Sequence, residues 1–214
     1  MANSLDEFLD VPQRRALVAT LSSPAKIQAY LDSIPYSTEE ANHSPVRVLR
    51  DGKAHCLDGA VLAAALLRRL GYPPIILDMQ PDPGTDDDHV LAIYRNYGCY
   101  GAVAKSNFAG LRFREPVYRN LRELVMSYFE VFFNVQGIKT LRGYTRPINL
   151  AAYDKKGWVW QDSGVDFIEH RLNELKMIPV ITPEMAGQLL PVDPRSFQAG
   201  MLGAISDGLF KPKG

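Results

Sequence analysis

Lys53 to Leu70 reads K-A-H-C-L-D-G-A-V-L-A-A-A-L-L-R-R-L, and the fold turns on how this stretch is understood. From Gly59 to Leu67 it is apolar without interruption, bounded by Asp58 at its start and by Arg68 and Arg69 at its end. A helix that is apolar on every side is a helix inside a core. Its first turn then sits where a chain end meets a cleft, and the partial positive charge of that turn lowers the pKa of a thiol placed there. Cys56, one of two cysteines, stands at that position. Free cysteine is also among the most buried residue types, so position alone leaves an inert packing role open.

The segment that follows narrows the choice. Gly71 onwards reads G-Y-P-P-I-I-L-D-M, a helix stop and a short strand; an acidic loop runs from Pro81 to Asp88; and His89 opens a second strand, H-V-L-A-I-Y. A thiol that must lose a proton, and a leaving group that must gain one, need an imidazole within hydrogen-bond reach. A His-bearing strand beside the helix start supplies it. After Tyr94 come R-N-Y-G and a third strand, C-Y-G-A-V-A-K, so a hairpin turn is expected near Asn96 to Gly98. A two-residue turn at Asn96-Tyr97 pairs His89 with Ala104, one at Tyr97-Gly98 pairs it with Ser106, and a three-residue turn pairs it with Lys105. The group that orients the imidazole is expected in that stretch.

A-H-C-L-D-G-A, L-A-A-A-L-L-R-R-L-G-Y-P-P-I-I-L and D-H-V-L-A-I-Y, in this order, resemble the transglutaminase-like superfamily of papain-type cysteine enzymes. Its pattern is a Cys followed by an acidic and then a small residue, a helix ending in Leu-Gly-x-Pro, and a His opening a strand. Cys56, Asp58, Ala60, Gly71, Pro73 and His89 match, and the similarity spans Lys53 to Asn107, about a quarter of the chain. The resemblance implies an Asp on the strand after the His as third catalytic residue. This chain has Ala104-Lys105-Ser106-Asn107 there. Lysine has no acceptor, whereas Asn and Ser do, so Asn107 is the candidate third residue and Ser106 the alternative. Asp162, in G-W-V-W-Q-D-S, lies too far along the chain to belong to the His89 hairpin.

Composition limits the remaining possibilities. Lys plus Arg equals Asp plus Glu at 24 each, so no attraction to nucleic acid or to an anionic membrane is expected. The N-terminal M-A-N-S-L-D-E-F-L-D lacks a basic, apolar leader, which leads to the expectation of a cytoplasmic protein. Two cysteines without metal-ligand spacing argue against a disulfide framework and a zinc site, and the reading needs no cofactor and no metal. At 214 residues one enlarged domain is expected, with a core from about residue 24 to 150 and residues 151–214 packed on it as a C-terminal extension.

Along the rest of the chain, Val11 to Leu21 and Pro24 to Ser33 are expected helices, the second capped by Ser23. Pro35 to Asp51 reads as irregular, with His43 a solvated loop residue. His55, next to the cysteine, is expected to point away from the thiol and to act at most through other groups. Asp86 to Asp88 read as a solvated loop. The excess of cations at Lys105, Arg112, Arg114, Arg119 and Arg122 is read as a solvated face, though it would also suit an anionic substrate. Asn120 to Phe133 has the strongest amphipathic pattern, with a cap at Asn120 and an apolar core stripe. Ile148 to Gln161 is expected to be a hairpin around D-K-K-G, Val165 to Leu175 a helix with His170 exposed, and the proline-rich tail from Met177 to be ordered by lying on the domain.

The reading is an α+β fold, papain/transglutaminase-like, in which a buried Cys56 helix packs on an antiparallel sheet carrying His89. The expected activity is hydrolysis of amide or peptide bonds: Cys56 attacks the acyl carbon, His89 moves the proton, Asn107 orients the ring, and the Cys56 N–H helps bind the oxyanion. Acyl transfer to an amine through the same thioester is the first alternative. A catalytically silent domain that uses the cleft for binding is the second. Partners are then a peptide, protein or small amide.

Overall fold

The computed structural model describes Leu5 and residues 11–211. Proline at the first position opens α1 (Pro12–Thr20) and α2 (Pro24–Ser33), and Ser23 caps the second by accepting the Lys26 N–H at 3.3 Å. A third helix, α3 (Pro45–Asp51), corrects the expectation of irregular chain before the cysteine. Ser44, Pro45 and the left-handed Gly52 (φ 66°) are its punctuation, and breakers this close together look like a loop in sequence.

Next come α4 (Cys56–Arg69), β1 (Ile75–Pro81), β2 (His89–Asn96), β3 (Cys99–Val103) and β4 (Arg114–Tyr118). Tyr97 (φ 52°) and Gly98 (φ 79°) are both left-handed, as a two-residue turn of type I′ requires, and Asn96 pairs with Cys99. Extended along the strands, that register points Ser106 at His89. The ladder stops earlier, at Ala92–Val103. Gln28 of α2 takes over there: its Oε1 accepts the Ala104 N–H at 3.0 Å and its Nε2 donates to the Ala104 carbonyl at 2.9 Å.

The remaining elements are α5 (Leu121–Met126), β5 (Leu141–Thr145), β6 (Ile148–Asn149), α6 (Asp162–Asn173), β7 (Met177–Pro179), α7 (Pro183–Ala186) and α8 (Pro194–Met201). The sheet runs β4-β3-β2-β1-β5-β7, with β6 on β1 as well, and its pairings are antiparallel. Alternation divides its side chains between two layers. Ile76, Val90, Ala92 and Val103 pack with α4, which is buried from Leu57 to Leu67; Leu77, Met79, Leu91 and Ile93 pack with Leu124, Tyr128 and Phe132 on the other face. The chain thus has the α+β architecture expected of a transglutaminase-like fold, with Cys56 on a buried helix beside the sheet. Among the described residues no helix is long and apolar enough to cross a membrane.

Two expected elements differ. The amphipathic segment begins at its Asn120 cap but stops at Met126. Arg114 draws off both the carbonyl (3.1 Å) and the hydroxyl (2.9 Å) of Ser127 and lies 3.8 Å over the Tyr128 ring, and Phe129–Val131 continues as a single 3-10 turn. The apolar stripe is core all the same. Ile148 to Gln161 is not a hairpin: Asn149 caps a 3-10 segment, Leu150–Lys156, that ends at the left-handed Gly157. Trp158 is then fully buried in the α4 core together with Val165, Ile168 and Leu172 of α6. Gly164 permits this contact, since a Cβ there would lie 2.6 Å from the Trp158 nitrogen.

At Gly59, α4 touches the chain leaving β3. A Cβ on Gly59 would sit 2.2 Å from that of Lys105. Lys105 is buried and is no part of a solvated face: its Nζ donates to the carbonyls of Leu31 (2.7 Å) and Ile34 (2.5 Å), completing the end of α2.

Candidate active site

Cys56 is the first residue of α4, with the extended His55 before it. Asp58 closes the turn from beneath. Fully buried, it accepts the backbone N–H of His43 (2.6 Å) and of His55 (3.3 Å), and its oxygens lie 3.2 Å from His43 Nδ1 and 3.2 Å from His55 Nε2. His43 is therefore no loop residue in solvent: it is 1% exposed, with Glu39 3.1 Å from its other nitrogen. His55 does reach the cleft wall, but its ring is spent on Asp58, and burial with His43 beside it lowers its pKa to about 4. Burial raises the Asp58 carboxyl to about 7 against the pull of the two backbone N–H groups.

On the solvent side Cys56 lines an open cleft of about 360 Å³ whose walls include Glu39, Glu40, Asp87, Asp88, Glu169 and Asp207. On the inner side it lines a cavity of about 40 Å³ together with His89, Ser106 and Asn107. The four residues singled out for chemistry thus converge on one small space. Their pairing differs from expectation. His89 stands opposite Met79 on the sheet face away from α4, and its Nε2 lies 2.7 Å from the Leu111 carbonyl oxygen. The ring partner is thus a backbone carbonyl and not Asn107, and a hydrogen bond donated from Nε2 would leave Nδ1 as the nitrogen with a free lone pair. Asn107 faces the tail: its Nδ2 donates to the Ile205 carbonyl at 2.9 Å and its Oδ1 accepts the Ile205 N–H at 2.8 Å. Ser106 Oγ accepts the Phe108 N–H at 2.9 Å. Asp162 is occupied elsewhere, on Ser44 N (2.8 Å) and Arg47 (2.6 Å).

The electrostatics oppose a ready thiolate. Burial, and after it Asp88, Asp87 and Asp78, push the Cys56 thiol well above its ordinary pKa, and the Val90 N–H offsets only part of this. Burial lowers His89 to about 4 despite the Leu111 carbonyl. The acidic run is thus not simply a solvated loop: Asp86 accepts the Thr140 hydroxyl at 2.6 Å, and Asp88 is held well above the carboxylate range by burial, Asp78 and Asp87. At neutral pH the cavity is therefore lined by a protonated thiol and a neutral imidazole.

Three contributors carry no sequence signal. Tyr36, half-buried, places its phenol at the Cys56 backbone. Asp78 is fully buried, and neither carboxylate oxygen closes a hydrogen bond of ordinary geometry, although the Gln80 side chain and the His89 N–H lie near enough to draw its pKa down. The tail residues Asp207 to Phe210 line the cleft. Among the described residues no group of three or more His, Cys, Asp or Glu is placed to hold a metal ion.

No curated protein matches the chain. The family model described as Transglutaminase-like superfamily matches residues 15–92, a span that takes in α2, α3, the whole of α4, β1 and the first residues of β2 with His89. Over that span, with its cysteine at the head of a buried helix and its histidine at the head of the neighbouring strand, the chain is similar to the transglutaminase-like core.

Proposed function

We propose that the protein is a cysteine hydrolase of amide or peptide bonds that works through a thioester on Cys56. The observation that carries this reading is the convergence of Cys56 and His89 on one cavity with the ring already anchored through Nε2. In this scheme Cys56 sulfur attacks the acyl carbon and its proton passes to His89 Nδ1. The same proton goes to the departing amine, and a water activated by the ring then cleaves the thioester. Asn107 is removed from the triad in this scheme, and the Leu111 carbonyl holds the ring instead.

The cleft walls bear on the substrate. Six acidic side chains line the cleft; burial opposes the charge of Asp87 and Asp88 and Glu39 is paired with Lys53, and the remaining Glu40, Glu169 and Asp207 favour a positively charged peptide or amine over an anionic one. That charge also makes an amine a credible acceptor in place of water, which is the acyl-transfer variant of the same chemistry. The elevated thiol pKa favours a different reading, a silent domain that binds without turnover.

An activated ester offered to the full chain separates these. The hydrolase reading expects a Cys56 acyl adduct by mass spectrometry that decays in water and is lost in Cys56→Ser. His89→Ala slows both formation and decay by at least about a hundredfold. Trapping of the adduct mainly by millimolar amine moves the reading to acyl transfer. Adduct formation indifferent to His89 sinks both and leaves the silent domain.

A further inference from the structure

Residues 205–210 pass directly over the site. Asn107 meets the N–H and the C=O of one residue, Ile205, with the two ends of its amide. That contact reads backbone and no side chain, in the way a protein edge reads a bound peptide. Ile205 (φ −86°, ψ 117°) and Leu209 (φ −95°, ψ 131°) are extended, with one turn between them. Gly208 then lies so close to the site wall that a Cβ would come within 3.0 Å of the Tyr36 ring and 3.3 Å of Asn107 Nδ2. Gly208 and Phe210 line both the outer cleft and the inner cavity beside Cys56.

The manner of attachment is the second observation. No side chain from Leu202 to Lys211 is buried, and Leu202 is 79% exposed. The segment is held by surface contacts and by its fit in the cleft rather than by a core anchor. Segments with few buried contacts open at low free energy.

We infer that residues 205–210 are a self-docked occupant of the substrate cleft, and that the cleft takes a peptide segment whose backbone Asn107 grips as it grips Ile205. This rests on the reading above that substrates meet Cys56 in this cleft. The tail leaves before a substrate peptide enters, and Tyr36 and Asn107 form the floor on which either one lies. Asn107 is then a binding residue rather than a member of a triad.

Accessibility of the thiol tests the inference without any need for turnover. In the full chain, iodoacetamide labelling of Cys56 is measured relative to Cys99 by mass spectrometry. Ile205→Pro removes the N–H that Asn107 accepts while keeping a φ near that of proline. Gly208→Val places a side chain against Tyr36. Each is expected to raise the Cys56/Cys99 labelling ratio at least about threefold, with unchanged circular dichroism. A synthetic peptide of residues 202–211, added in trans, is expected to return the ratio toward the unmodified value. An unchanged ratio in both variants overturns the inference, and so does a rise that the peptide does not reverse. Hydrogen exchange of the unmodified protein tests it independently of folding of the variants: amides 205–210 should exchange far ahead of α4, and protection as deep as that of α4 overturns it. Peptide-reversible labelling together with no acyl turnover would remove the hydrolase and leave the docked tail in place.

Discussion

Two aspartates, both fully buried, flank the same thiol, and they are built in opposite ways. Asp58 lies beneath the first turn of α4 and meets two backbone N–H groups and two imidazoles. Asp78 faces α4 from β1, opposite Val90, and its oxygens have only the Gln80 side chain and the His89 N–H nearby, neither in ordinary hydrogen-bond geometry. A buried carboxylate with well-formed partners holds its surroundings together, whereas one whose partners are weak is a local strain held in place by the rest of the fold. The acidic residue of the Cys-x-Asp motif is therefore architectural. Of the two, Asp78 is the one whose charge reaches the sulfur, and it adds to the larger effects of burial, Asp88 and Asp87 in making ionisation harder.

The contrast is open to test. Asp58→Ala strands two buried backbone donors and two rings, and is expected to cost about 3–5 kcal/mol in urea unfolding. A loss within experimental error of a surface substitution would end its architectural role. Asp78→Asn should act in the opposite direction and only at higher pH. Burial raises the Asp78 carboxyl from 3.8 to about 6, against the pull of the Gln80 side chain and the His89 N–H and with Asp87 adding to the rise. Below about pH 4 both folded and unfolded chains hold the proton and stability is intact; as pH climbs to about 6 the unfolded chain releases it first and stability falls. Asp78→Asn is then expected to gain up to about 3 kcal/mol at pH 8 and close to nothing at pH 4. Destabilisation at pH 8 would place Asp78 in the same class as Asp58.

The smallest expected effect is on the thiol itself. Cys56 alkylation should still be rising at pH 9, without a step near neutrality, because His89 stays neutral down to about pH 4. A plateau below pH 7 would reveal a thiolate–imidazolium pair and contradict the electrostatics described above. Asp78→Asn, by removing one of the charges that oppose ionisation, should speed alkylation at pH 8 by about two- to fivefold.

How much of this was legible follows from the range of each interaction. α4 could be read because its apolar run is continuous, and the β2–β3 hairpin because its turn is local, although three registers stayed open until the left-handed Tyr97 and Gly98 selected one. α3 was hidden because seven residues between breakers have no room to show a period. The third residue was missed for a different reason. The acceptor for His89 is a main-chain carbonyl, which any residue at position 111 would offer, and Asn107 is engaged by a segment 98 positions away. Gln28 ends the β2–β3 ladder from 76 positions away, so no local window shows that the strand stops before it reaches His89. Nor does any window show that His43 is buried, since its burial depends on Asp58.

Gly59 and Lys105 work together as a locating pin. The lysine stem crosses α4 at the one residue without a side chain, and its head is fastened to the end of α2. Screwing α4 by a single residue, about 1.5 Å along its axis with a turn of about 100°, would bring Asp58 or Ala60 against that stem. The helix is therefore indexed along its axis. The depth at which Cys56 enters the cleft is set three residues away, by a notch that only glycine leaves open.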